Sequence, residues 1–146
     1  MNQLQASLQI CFSNTFLMYY KAHTYHWNVE GKMFAQYHQF FSDIYTDLFG
    51  AIDPLAEHIR VIEGYAPVSL SELVSNSTIR EDVERLSTVS DMLRSLQESN
   101  DLTLASLNKT FELAVGNNGL QNFLADRIDI HAKHGWMLKS SLKTTE

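Results

Sequence analysis

The sequence predicts an all-α protein: a bundle of four long helices, with one long crossover after the second that carries a short extra helix. Three observations lead there. Apolar residues recur at steps of three and four through most of the chain, the period of a helix face and not of a strand. Only two prolines and six glycines occur among 146 residues, and they gather in a few places, leaving long stretches free of helix breakers. A serine-rich segment containing Pro67 separates the second apolar run from the third and shows no long period of its own.

The first helix is read from Leu4, Leu8, Cys11, Phe12, Thr15, Phe16, Tyr19, His23, His26 and Trp27. Asn28 to Lys32, with Gly31, makes a short connection. The second run holds Phe34, Tyr37, His38, Phe41, Ile44, Tyr45, Leu48, Ile52, Leu55, Ile59 and Ile62. It stops at Gly64, a residue type that commonly ends helices. Unbroken from Met33 to Ile62, such a helix is about 45 Å long. Gly64 to Thr78 reads as a connection in which Ser71-Glu72-Leu73-Val74 forms the short extra helix. Extended, that stretch reaches roughly 46 Å, enough to run back along the bundle. The third helix is expected to begin between Ile79 and Thr88, to carry Leu86, Val89, Leu93, Leu96, Leu107, Phe111 and Ala114, and to stop at Gly116-Asn117-Asn118-Gly119. The fourth holds Leu120, Leu124, Ile128, His131, Leu138 and Leu142. Residues 1–146 read as a single domain.

Seventeen acids against eleven bases give a formal net charge of -6. That balance argues against a surface built mainly for nucleic acid, whose phosphates are held by Lys and Arg. It suits a protein that gathers cations. Cys11 is the single cysteine, so no disulfide forms within the chain, and its place in an apolar rhythm predicts a buried thiol. The first ten residues lack the basic and apolar blocks of an export signal. No stretch approaches the roughly 18 apolar residues of a membrane span. The expectation is a cytoplasmic protein without a membrane partner.

Bundles of this connectivity, the ferritin-like ones, usually carry a di-iron site announced by two Glu-x-x-His motifs. This chain contains no Glu-x-x-His, so any metal must be held differently. The candidates are His26, His38, Asp53 and Glu57. Asp53 and Glu57 are one helical turn apart and share a face. His38 points to broadly the same side, but lies about 22 Å away along the axis. A two-fold axis across the middle of this helix would run it antiparallel to its copy, placing His38 of one chain near Asp53 and Glu57 of the other, twice over. The competing readings are plain. A histidine on an apolar face can simply be packed, and Asp53-Pro54 can be a cap followed by proline at a new helix start. Even in a continuous helix, Pro54 removes the bond to the Gly50 carbonyl.

The stretches His26-Trp27-Asn28-Val29-Glu30-Gly31, Phe34, Tyr37-His38 with Phe41 and Tyr45, Asp53-Pro54-Leu55-Ala56-Glu57 and Ile59-Arg60 closely resemble the Dps family of miniature ferritins. So does His131-Ala132-Lys133-His134-Gly135-Trp136-Met137-Leu138. The resemblance runs from the first helix to the last, in order and spacing. It implies a hollow dodecamer with ferroxidase centres at its two-fold interfaces. The histidines at the positions of His26 and His38 come from one subunit, and the carboxylates at the positions of Asp53 and Glu57 from its neighbour. It implies oxidation of Fe2+ to Fe3+, with hydrogen peroxide preferred to dioxygen, storage of ferric mineral, and protection against oxidative damage. Mixed imidazole and carboxylate ligands suit ferrous iron and favour the harder ferric product. Trp27, beside His26, is a candidate redox neighbour or an interface ring.

Three departures from the family pattern stand out. Ser42 occupies a place where many relatives carry an acid, and Asp43 points about 100° away around the helix, which leaves a second iron weakly held. His58 follows Glu57 where Arg is frequent. Asn117 and Asn122 stand where acids often line an iron pore, leaving Asp126 as its clearest acid, with slower iron entry the consequence. His131 and His134 are candidate metal ligands, though solvent or interface roles fit them better, and His23 is read as packing or interface. Basic residues are sparse at both ends: Lys21 is the first, and Lys139 and Lys143 are the last two. Strong DNA binding is therefore not expected. The rival reading is a DNA-compacting or structural shell whose metal centre is vestigial.

Overall fold

The computed structural model describes residues 1–144. Helix α1 spans Gln3–Asn28, α2 Phe34–Val61, α3 Leu70–Asn76, α4 Val89–Leu113 and α5 Asn118–Leu142. Asn2 starts α1 with a reciprocal cap: its side chain accepts from the Gln5 backbone at 2.8 Å, while the Gln5 side chain accepts from the Asn2 backbone at 3.0 Å. Each half satisfies an otherwise unpaired N–H of the first turn.

Helix α1 is enclosed on nearly every side. Leu8, Cys11, Met18 and Ala22 are fully buried, and so are Ser13 and Asn14. Its close neighbours are α2, α4 and the short α3. Its polar residues therefore bond inward. Ser7 Oγ lies 2.6 Å from Thr110 Oγ1 of α4, and Cys11 Sγ lies 3.0 Å from the same oxygen. Burial pushes the Cys11 thiol up to about 11, the hydroxyl contacts opposing only in part. The expected inert, structural thiol is what the fold contains.

These contacts also fix helix direction. Ser7 near the start of α1 meets Thr110 near the end of α4, whereas Tyr25 near the end of α1 meets Ser95 near the start of α4, at 2.7 Å. α1 and α4 are thus antiparallel. α2 also runs against α1, because Gln5 Nε2 donates to the Ile62 carbonyl at 2.9 Å. α2 and α4 then point the same way, so the chain between them must travel the length of the bundle, as the crossover predicted. Its extra helix, α3, starts on Ser69, which accepts from the Glu72 backbone.

The crossover extends to the late end of the window expected for the start of the next helix. Helix α4 begins at Val89, capped by Thr88, which accepts from the Asp91 backbone at 3.1 Å. The stretch from Ile79 to Thr88 is held open instead of coiling, because side chains of α1 grip it. Asn14 Oδ1 accepts from Ser77 Oγ at 2.6 Å and from the Thr78 backbone at 2.9 Å. The Tyr25 hydroxyl donates to Asp82, and Lys21 pairs with the same carboxylate at 3.8 Å.

Helix α2 runs unbroken through Pro54. Asp53 is therefore not the cap of a new helix, and the alternative of a break there is excluded. Leu48, Leu55 and Ile59 are fully buried on its inner face, and each such side chain contributes roughly 1.5–3 kcal/mol. That burial outweighs the one hydrogen bond lost at proline. At the end of α2 the left-handed residue is Glu63, with φ 67, not Gly64. Gly64 is needed for closeness, since a Cβ there would meet Ile59 Cγ2 at 3.1 Å and the Ile59 carbonyl at 3.3 Å.

The α2–α5 seam is wider than those α1 makes with α2 and α4, and long polar side chains bridge it. Arg127 of α5 grips Asp47 of α2 with two bonds, at 2.9 and 3.0 Å. His134 donates to the same carboxylate at 2.7 Å. His131 is fully buried, which corrects the expectation of a solvent or interface role. It sits between Arg127 at 3.2 Å and Asn100 of α4 at 2.8 Å. Gly135 gives Asn100 its room, because an added Cβ would stand 3.0 Å from Asn100 Nδ2. Asn100 is bonded at both ends to His131 and cannot step aside. Gly135→Ala should therefore lower stability: the overpacking cost of about 1–3 kcal/mol exceeds the gain in helix propensity of about 1 kcal/mol. A denaturation midpoint equal to or above that of the parent would refute this.

Candidate metal centre

His26 lies in the last turn of α1 and His38 near the start of α2. The five-residue link between the helices turns on Gly31, whose φ of 117 is one that other residues rarely adopt. The turn brings the two imidazoles face to face, with ring centroids 3.7 Å apart and planes 17° from parallel. Each ring is tied to the other's backbone. His26 Nδ1 is 2.7 Å from the His38 carbonyl, and His38 Nδ1 is 2.7 Å from the His26 carbonyl. A carbonyl only accepts, so both Nδ1 atoms carry hydrogen. In the neutral rings, Nε2 then bears the lone pair on both sides. A backbone acceptor of this kind is how metal-binding histidines are usually oriented. The end of α1 also supplies the negative pole of a helix, which favours a cation beside His26.

Aromatic rings hold the pair from outside. Phe34 stacks on His38 at 4.9 Å, and Tyr45 meets His26 edge-on at 5.2 Å. Tyr45 in turn stacks on His23 at 3.9 Å, and His23 packs on Trp27 at 4.1 Å. His23 Nδ1 pairs with the Tyr19 hydroxyl at 2.9 Å. Burial pushes the His23 imidazole below its ordinary value, and His26 adds to the effect. His23 thus packs between Tyr45 and Trp27, one of the two roles, packing or interface, expected for it. Trp27 remains 56% exposed.

Asp53 and Glu57 stand one turn apart on the exposed side of α2. Along an unbroken helix they are about 22 Å or more from His38. Among the described residues, no three His, Cys, Asp or Glu side chains converge closely enough to hold a metal. One chain therefore brings His26 and His38 together and leaves the two carboxylates apart from them. Ser42 is half-buried one turn after His38, and Asp43, on the exposed side, accepts from Gln39 at 2.8 Å. His58 lies against the Phe123 ring, with centroids 4.6 Å apart, so it packs α2 on α5. Asn117 caps α5 by accepting from the Leu120 backbone at 3.1 Å, while Asn122 and Asp126 are exposed.

Asp47, Arg127 and Asn100 were not singled out from the sequence. Their signal was present: Arg127 falls in the register of Leu120, Leu124 and His131, where an apolar residue is expected, and Asp47 follows Ile44 by three. Opposite charges in the core registers of two helices point to a buried pair.

A model of the ferritin-like domain matches residues 5–146. General stress protein 20U of Bacillus subtilis is 30% identical over 132 residues, 89% of this chain and 90% of that protein. The DNA protection during starvation protein of Brevibacillus brevis is 30% identical over 144 residues, with 90% and 89% of the two chains covered. The Dps crystal structure from Vibrio cholerae O1, described as a member of the ferritin-like diiron-carboxylate superfamily, superposes with a TM-score of 0.91 at 30% identity, over 97% of this chain and 89% of that one. Dps from Thermosynechococcus elongatus gives a TM-score of 0.93 at 25% identity, over 99% and 92%. With the helix order, the crossover and the histidine pair in hand, these likenesses settle the kinship: the chain belongs to the ferritin-like family and, within it, to the miniature ferritins of the Dps type.

Proposed function

We propose that this protein sequesters iron by oxidising Fe(II) at a site completed by two copies of the chain. His26 and His38 of one copy supply two imidazole Nε2 donors, and Asp53 and Glu57 of the other supply carboxylates. The observation that carries this reading is the reciprocally bonded histidine pair, with its lone pairs set for a metal and its acidic partners out of reach on the same chain. An antiparallel copy of α2 solves that problem. The exposed rings of Trp27 and Phe49, 56% and 61% accessible in the isolated chain, suit burial at such a contact. A closed dodecamer built from these dimers, with a cavity for ferric mineral, is the assembly proposed.

The chemistry balances with peroxide as oxidant. Two Fe(II) ions each give one electron, the O–O bond of hydrogen peroxide breaks, and with two protons the oxygens leave as two waters. Dioxygen is the alternative oxidant. The carboxylates stabilise the more highly charged product and so lower the potential. Ser42 offers no charge to a second iron. Trp27, packed on His23, suits both an interface ring and a one-electron donor; Trp27→Phe keeps the first role and removes the second. With a net charge of -6, protection of DNA by this chain would come from removing iron and peroxide, and not from coating the duplex.

Iron entry is proposed to run past Asn122 and Asp126 near the start of α5. Asn117 is engaged as a helix cap and contributes structure there.

His38→Ala and Asp53→Ala should each slow peroxide-dependent iron oxidation at least roughly tenfold while leaving the assembly mass unchanged. Normal rates in both would contradict the site. The two inactive variants, unfolded and reassembled together, should regain roughly a quarter of the parental rate, because in mixed dimers one site is doubly broken and the other intact. An intrachain site would show no recovery. In stopped-flow iron oxidation, Asn122→Asp should accelerate the early phase, and an unchanged trace would remove Asn122 from the entry path.

A further inference from the structure

The middle of α2 is fastened to α5 by a buried polar group that the iron chemistry does not use. Its proton positions can be worked out from its ends. Asn100 Nδ2 donates to the His131 carbonyl at 2.9 Å, so Asn100 Oδ1 is the atom facing His131 Nδ1 at 2.8 Å. That oxygen only accepts, which places the hydrogen on Nδ1. Arg127 Nη2, which only donates, then meets the Nε2 lone pair at 3.2 Å. The same guanidinium holds Asp47 with two bonds. Every contact requires a neutral imidazole. A second proton would set N–H against N–H and positive charge against positive charge, where His131 is 0% and Arg127 5% exposed.

We propose that the Asn100–His131–Arg127–Asp47 group is an acid-sensitive latch: protonation of His131 expels the Arg127 guanidinium, leaves Asp47 with His134 as its one remaining partner on α5, and so loosens α2 from α5. The groups facing His131 are Arg127 and His134 on α5, Asp47 on α2 and the uncharged Asn100 on α4. Burial holds His131 well below its ordinary value, with Arg127 and His134 adding and Asp47 opposing. Burial alone would raise Asp47, but the bonds from His134 and Arg127 outweigh it and hold the carboxyl far below its usual range. Asp47 therefore stays charged where histidines titrate.

The sign follows. A freed His131 takes its proton near about pH 6.5, while the closed latch refuses it until lower pH. Between those values the open form binds more protons, so closure weakens as pH falls, by up to about tenfold per pH unit. Above about 6.5 both forms are neutral and closure does not change.

Hydrogen exchange read by mass spectrometry on the assembled protein, at one concentration from pH 7.5 to 5.5 and corrected for intrinsic rates, tests this. Protection in peptides covering residues 43–51 and 124–135 should fall by up to about tenfold per unit below about pH 6.5, while residues 8–18 of α1 keep theirs. A uniform decline, or none, overturns the latch. His131→Gln offers a donor to Asn100 and an acceptor to Arg127 but takes no proton, so its profile at the seam should be flat; a wild-type profile also overturns it. The regional comparison in the unaltered protein decides the matter even if the variant does not fold.

Discussion

An α-helix advances about 1.5 Å per residue, and α2 keeps that pitch without interruption from Phe34 to Val61. His38, Asp47, Asp53 and Glu57 are therefore spread along one rod, and no rearrangement short of breaking it brings them together. What each can do is set by its height on that rod. His38 lies level with the end of α1 and finds His26. Asp47 lies level with the middle of α5 and finds Arg127. Asp53 and Glu57 lie beyond both and face outward. The proposed need for a second subunit is a consequence of this spacing, and the continuity through Pro54 is what enforces it.

Several polar side chains lie in the interior, among them Asn14, Asn100, Arg127 and His131, and they stand where one residue bridges more than one segment. Asn14 joins α1 to the crossover, Tyr25 joins α1 to both α4 and the crossover, and Asn100 joins α4 to α5. Buried pairs such as Arg127–Asp47 add little net stability relative to apolar packing, but breaking one leaves an uncompensated charge and is costly. Leucine layers tolerate sliding and rotation; forked hydrogen bonds do not. The network thus selects one register of α2 against α5, which matters for a helix whose outer face must present widely separated groups at set heights.

Much of this was legible in the sequence, and the exceptions share a cause. The helices, the crossover and α3 follow from apolar period and breakers, which are local. Local pattern leaves the start of α4 open over Ile79 to Thr88, and it falls at the late end because the segment before it is kept extended by Asn14, Tyr25 and Lys21, distant in sequence. Nothing local marks His131 as buried, because Asn100 and Arg127, which satisfy its two nitrogens, lie on another helix and one turn away. Gly64 drew attention as a helix terminator, whereas the left-handed conformation falls on Glu63 and the glycine serves a close approach to Ile59. The spacing of the candidate ligands was readable. The face-to-face meeting of His26 and His38, with each ring bound to the other's carbonyl, was not, since it depends on how the turn at Gly31 folds back.

Cys11 bears on how long such a molecule lasts. Thiolates, not thiols, are what peroxides attack, and attack begins a ladder from sulfenic to irreversible higher acids. Here the single sulfur is sealed between α1 and α4 against Thr110 and held protonated far above neutrality. In the proposed role, beside an oxidant, the chain would thus keep its one thiol out of reach. In the proposed assembly, neighbouring copies would offer one another no accessible thiol for a covalent cross-link.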